Sequence, residues 1–180
     1  MKIKSIIILL PAYLMFVTYN LVDILTGSYH EPVFYCQNMV LLTLLLIAAV
    51  TDLEKREISN KLIIVGVFTG MLFIFLKGIL YSNGYIVRGL AGCIVISMML
   101  FIFTSIFAQK GSFGGGDIKL FAVIGLFWGV WQTLLCILLS CIFGLILIVI
   151  VYLVKRRWIN IPLAPVIMLA SGVVVQFISI

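Results

Sequence analysis

Residues Thr133–Val154 read TLLCILLSCIFGLILIVIVYLV, a run without one charged side chain. A helix of that length rises roughly 33 Å, enough to cross about 30 Å of hydrocarbon. No period of two runs through the stretch, so it does not read as a barrel strand. In lipid a helix satisfies its own backbone. Six more stretches read the same way: Ile3–Leu25, Pro32–Val50, Leu62–Leu80, Tyr85–Ala108, Ile118–Trp131 and Ile161–Ile180. The fifth is short, and Trp128, Gly129 and Trp131 mark an interfacial turn before Thr133. The expected fold is an all-α, polytopic membrane bundle of about seven transmembrane helices. It forms one domain over residues 1–180, with the first span accessory and a core from about residue 33.

Composition agrees. Of the 180 residues, 64% are hydrophobic and 10% charged, against roughly 45–50% and about 25% in soluble domains. A core of this size cannot hide that excess from water. The net charge of +6 sits between apolar runs and not in a basic stripe, so it reads as a topology signal and not as a nucleic-acid surface. With the N-terminus inside, ten of the twelve basic residues are cytoplasmic: Lys2, Lys4, Lys55, Arg56, Lys61, Lys110, Lys119, Lys155, Arg156 and Arg157. Lys77 and Arg88 are left at the outer edge, and the C-terminus falls outside. Met1–Leu10 resembles a signal peptide's opening, but Pro11 and the absence of a prompt cleavage site favour an uncleaved first span. Cys36, Cys93, Cys136 and Cys141 form no Cys-x-x-Cys pair and read as small buried hydrophobes.

This topology puts two acidic motifs on the cytoplasmic face. The first is Thr51-Asp52-Leu53-Glu54-Lys55-Arg56-Glu57-Ile58-Ser59-Asn60, with Ser59 and Asn60 as helix caps. The second is Gly111-Ser112-Phe113-Gly114-Gly115-Gly116-Asp117-Ile118-Lys119, a glycine run opening a helix. A P-loop reading is weak, for the Gly-Lys-Ser/Thr ending is missing and no strand precedes the run. Acids at a membrane edge are costly and point to function. Two adjacent carboxylates can share one proton, so that one activates water while the other holds a carbonyl. That chemistry needs no metal and no cofactor. Asp52 lies near a helix C-terminus and Asp117 near an N-terminus, which suggests Asp117 as base and Asp52 as acid. Lys119, two residues from Asp117, is expected to turn away toward lipid headgroups. The lone His30 falls in an outer loop, far from both aspartates.

These residues carry a resemblance. Gly114-x-Gly116-Asp117 resembles the Gly-x-Gly-Asp motif of membrane aspartic peptidases, and Ile118-Lys119-Leu120 continues it as in type IV prepilin peptidases. Asp52 with Arg56, Ile58, Ser59 and Asn60 is similar to that family's first aspartate motif, usually Arg-x-Ile-Pro-Asn, with Ser59 in place of proline. Ile161-Pro162-Leu163-Ala164-Pro165 resembles the start of its last span. The resemblance implies an aspartic endopeptidase, with Asp52 and Asp117 catalytic and Gly114, Gly116, Lys119, Arg56 and Asn60 in support. The implied substrates are prepilin-like precursors with a basic leader, which Glu54 and Glu57 could meet. Proteins of a pilus or secretion assembly are further implied partners, beside membrane lipid. Many bacterial members also N-methylate their product and carry a paired Cys-x-x-Cys insertion, which this chain lacks; peptidase activity without methyl transfer is expected. The glycines Gly66, Gly70, Gly89 and Gly92 offer either a surface for the substrate helix or ordinary packing. Two alternatives stand beside this reading. A presenilin- or signal-peptide-peptidase-like protease would set its first aspartate in Tyr-Asp inside a span. A small transporter or assembly scaffold would need polar groups at mid-membrane.

Overall fold

The computed structural model describes residues 9–18, 21–22, 32–107, 115–155 and 162–178. Among them every regular element is a helix: α1 (Leu9–Thr18), α2 (Pro32–Lys55), α3 (Asn60–Leu80), α4 (Gly84–Phe107), α5 (Gly115–Trp128), α6 (Val130–Lys155) and α7 (Ala164–Ile178). Four of these, α2, α3, α4 and α6, are long and apolar enough to cross a membrane. The chain is a multi-pass membrane protein.

The helices divide into an inner and an outer set. On α2 the residues Leu41, Leu45, Ala48, Ala49 and Asp52 are all buried. Their spacing is that of one face of a 3.6-residue helix. This stripe packs on α7, with Met168 and Val174 in the same core cluster. Helix α5 is central: Leu120, Phe121 and Val123–Phe127 are buried against α3, α4 and α6. Its 14 residues rise only about 21 Å, but protein, not lipid, surrounds it, so the short length is tolerated. Helix α6 lies outermost, with Leu135, Leu138, Leu145 and Leu153 exposed as a lipid-facing surface would be. Cys136 is buried and Cys93 half-buried, whereas Cys36 and Cys141 are exposed; two of the four cysteines expected as core residues lie on the surface.

Two contacts between helices explain the glycines. A β-carbon on Gly92 would run into the carbonyl oxygen of Gly125, and one on Gly125 would stand 2.6 Å from the Gly92 oxygen. Helices α4 and α5 therefore touch backbone to backbone, as small residues allow. Gly66, Gly70 and Gly89 likewise face side chains of Val123, Leu126, Phe127 and Ile74. Of the two uses open to these glycines, packing is the one the fold makes of them. The turn between α5 and α6 sits at Gly129, whose φ of +84° suits glycine. Its N–H donates to the Gly125 carbonyl at 2.8 Å, so the fifth helix ends at Trp128 and not at Trp131.

Candidate active site

Helix α2 runs past Asp52 by one turn and stops at Lys55, whose charge suits the negative helix end. The stop is an αL cap: Arg56 has φ +54°, and its N–H donates to the Asp52 carbonyl at 2.9 Å. Arg56 is exposed, so what the structure shows of it is the turn it makes. Four residues later α3 begins. Ser59 occupies the N-cap position with extended backbone but makes no side-chain cap bond. Its carbonyl instead accepts from Leu62 and Ile63 N–H. The expected pair of caps is thus only positional, and the Asn60 side chain serves another purpose.

That purpose is a link to the second motif. Lys119 Nζ donates to Asn60 Oδ1 at 3.1 Å. Lys119 was expected to turn toward headgroups, but its four-carbon stem reaches across to α3. A β-carbon on Gly116 would stand 3.3 Å from Ile58 Cβ, so the start of α5 lies against the segment joining α2 to α3. Asp117 is in the first turn of α5 and half-buried. Gly114 and the rest of the 111–114 run lie outside the described residues. The two motifs, more than fifty residues apart in sequence, meet at one end of the bundle through Ile58–Gly116 and Asn60–Lys119.

Sequence reading missed a third contributor. Asp52 is 8% exposed, and its Oδ2 accepts the Ala164 N–H at 3.0 Å. Helix α7 explains this. Leu163 caps it through Val166 and Ile167 N–H, Pro165 has no N–H to give, and the Ala164 N–H is one of the donors a helix start leaves unmet. Asp52 satisfies it from another helix. The signal was present in Pro162-Leu163-Ala164-Pro165 as a marked helix start, but nothing local says which carboxylate it meets. Glu54 is half-buried, and its Oε1 is covered without a hydrogen-bond partner among the described residues. Glu57 is exposed. Among the described residues no cluster of His, Cys, Asp and Glu has the makings of a metal site.

The type IV leader peptidase family profile matches residues 39–149, more than half of the chain and both motifs. The chain belongs to the type IV leader peptidase family. It is 30% identical over 144 residues to the prepilin leader peptidase/N-methyltransferase of Bacillus subtilis (strain 168), covering 78% of this chain and 54% of that protein. It is 32% identical over 107 residues to the protein of the same name from Aeromonas hydrophila, covering 58% of this chain and 36% of the other. The chain thus spans about half the length of the first of these relatives and less of the second. No solved structure matches it.

Proposed function

We propose that the chain is a membrane-embedded aspartic endopeptidase that removes the basic leader from prepilin-like precursors at the cytoplasmic membrane face. Asp52 and Asp117 are its catalytic pair. The observation that supports this most is the meeting of the two aspartate motifs through Lys119–Asn60 and Gly116–Ile58. The orientation follows the basic residues: N-terminus in the cytoplasm, C-terminus outside.

In this reading one carboxylate takes a proton from water as the water oxygen attacks the scissile carbonyl. The other, protonated, gives its proton to the carbonyl oxygen. The tetrahedral intermediate collapses by passing a proton to the departing amine, and no covalent enzyme intermediate forms. The Ala164 N–H serves Asp52 Oδ2 and so leaves Oδ1 to face the reaction. It also brings the positive end of α7 to Asp52. That end opposes the negative end of α2, so helix ends alone do not divide the two roles, and the shared proton belongs to the pair. Half-buried Glu54 and exposed Glu57 are the acids beside Asp52 that a leader lysine or arginine would meet. Methyl transfer is not part of the proposal.

The test is processing of a co-expressed prepilin-like precursor. Asp52→Asn and Asp117→Asn keep shape and volume, so each is expected to fold. Each is expected to slow cleavage by roughly a hundred- to ten-thousandfold, the scale of acid–base contributions. Mass spectrometry of the mature product is expected to show an unmethylated N-terminus. Undiminished processing by either variant ends the proposal.

A further inference from the structure

The Asp52 side chain is held from a helix that carries neither aspartate motif. Asp52 lies in the last turn of α2 and is 8% exposed. Lys55 and Arg56 follow it in sequence but are exposed. Among the described residues the Asp52 carboxylate takes one hydrogen bond, from the Ala164 N–H to Oδ2 at 3.0 Å. The last torsion of a carboxylate is broad. A fixed donor on one oxygen therefore sets the plane of the group, and with it the direction of the other oxygen.

The local sequence keeps this donor where it could have been dispensed with. Ala164 is the first residue of α7. Proline is favoured at that position, because the N–H it lacks has no partner within the helix. Here proline stands one place later, at Pro165. The first position keeps its N–H, and that N–H is directed at Asp52. The height of α7 beside Asp52 is fixed as well. Ala164, Ile167 and Met168 are buried, and α7 packs on α2 and α6. Two turns beyond Ala164, a β-carbon on Gly172 would collide with the Phe16 ring, so that ring lies on the α7 backbone. Phe16 shares a buried cluster with Leu42 of α2 and Val175 of α7. Helix α1 thus bears on the seam between the two helices that the Ala164–Asp52 bond joins.

We propose that Ala164 is a positioning residue of the peptidase, acting through its backbone N–H, which sets the plane of the Asp52 carboxylate so that Oδ1 faces the reacting water and carbonyl. This rests on the peptidase reading and adds α7 to the two aspartate motifs as a third element of the site. The requirement is for an N–H at position 164. No side chain there takes part.

Backbone substitution tests this in the full chain, made by cell-free translation into lipid nanodiscs. Lactic acid in place of Ala164 turns the amide into an ester, which removes the N–H and adds no bulk. In cleavage of a prepilin-like precursor, kcat is expected to fall about ten- to a hundredfold, the scale of hydrogen bonds to charged groups. KM is expected to stay as in the parent, since the lost contact is not one with substrate. Lactic acid in place of Ala170, also on α7 and equally buried, removes an ordinary helix bond and controls for stability. Its kcat is expected to match the parent. Ala164→Pro, at a position proline tolerates, is expected to lower kcat at least as far as the Ala164 ester, and it decides if that ester fails to fold. Equal kcat losses from the two esters overturn the proposal, as does parental kcat in the Ala164 ester or a loss confined to KM. Asp52→Asn measured beside them separates the two claims. If it abolishes cleavage while the Ala164 ester cleaves as the parent does, this inference falls and the peptidase reading stands. If it cleaves as the parent does, that reading falls and the inference with it.

Discussion

The two ends of the bundle are built from the same helices in opposite ways. At the aspartate end the polar groups come in two continuous sequence segments, and their bonds run to backbone or between segments: Ala164 N–H to Asp52, Lys119 to Asn60. At the other end Gln37, Lys77 and Arg88 line a cavity and arrive singly from three helices, and aromatic rings hold the two cations. One buried stripe of α2 carries Asn38 near one end, accepting from Trp128 Nε1 at 3.0 Å, and Asp52 at the other. The contrast teaches that one end is assembled from local motifs whose polar groups bond across segments, while the other is gathered from scattered positions.

The strongest way to break this comparison is at the waist that the two ends share. Gly125 and Gly92 meet backbone to backbone, and any β-carbon there forces α4 and α5 apart. Gly125→Val is expected to destabilise the fold by about 3 kcal/mol, at the high end of overpacking costs. Thermal unfolding in detergent measures it. Leader cleavage should fall with it, since α5 carries Asp117 in its first turn. Loss of stability with cleavage intact would show the aspartate end to be independent of the waist.

A smaller change sharpens the contrast by touching one end only. Lys119→Met removes the exposed bond to Asn60. Such bonds contribute about 0.5–1.5 kcal/mol, so cleavage is expected to fall by between about twofold and tenfold. A double-mutant cycle with Asn60→Ala is expected to give a coupling of about 1 kcal/mol in kcat/KM. Strict additivity of the two losses would mean that the link does not position the motifs.

The same contrast explains what could be read from the sequence. The spans and the two aspartate motifs were legible because each is continuous: an apolar run is measured by its length, and a motif by its neighbours. The side each helix buries was not legible. Leu45 is 1% exposed and Ile47 49%, yet both are aliphatic, since lipid and core select the same residue types. Periodicity needs a polar face to show against, and these helices lack one. Lys119 was misread because spacing on its own helix says nothing of how far a long side chain reaches to another. The Ala164–Asp52 bond joins residues on the second and last helices, and only the packing of α2 on α7 brings them together. Lys77 and Arg88 stood out as the two basic residues left at the outer edge. Gln37, which completes their cavity, carried no signal.

The smallest expected effect separates backbone from side chain where α2 stops. Arg56 holds φ +54°, a conformation that crowds a β-carbon and costs roughly 1–2 kcal/mol in L-residues other than glycine. Arg56→Gly relieves that crowding but adds freedom to the unfolded chain. The balance is expected to leave the variant as stable as the parent, or more so by up to about 1 kcal/mol. Arg56→Ala keeps the β-carbon and loses the guanidinium, so it gains nothing. If Arg56 serves only as the turn that places Asp52 near the helix end, the glycine variant cleaves precursor as the parent does. If both variants lose cleavage equally while the glycine one unfolds no earlier, the guanidinium itself acts at the aspartate end.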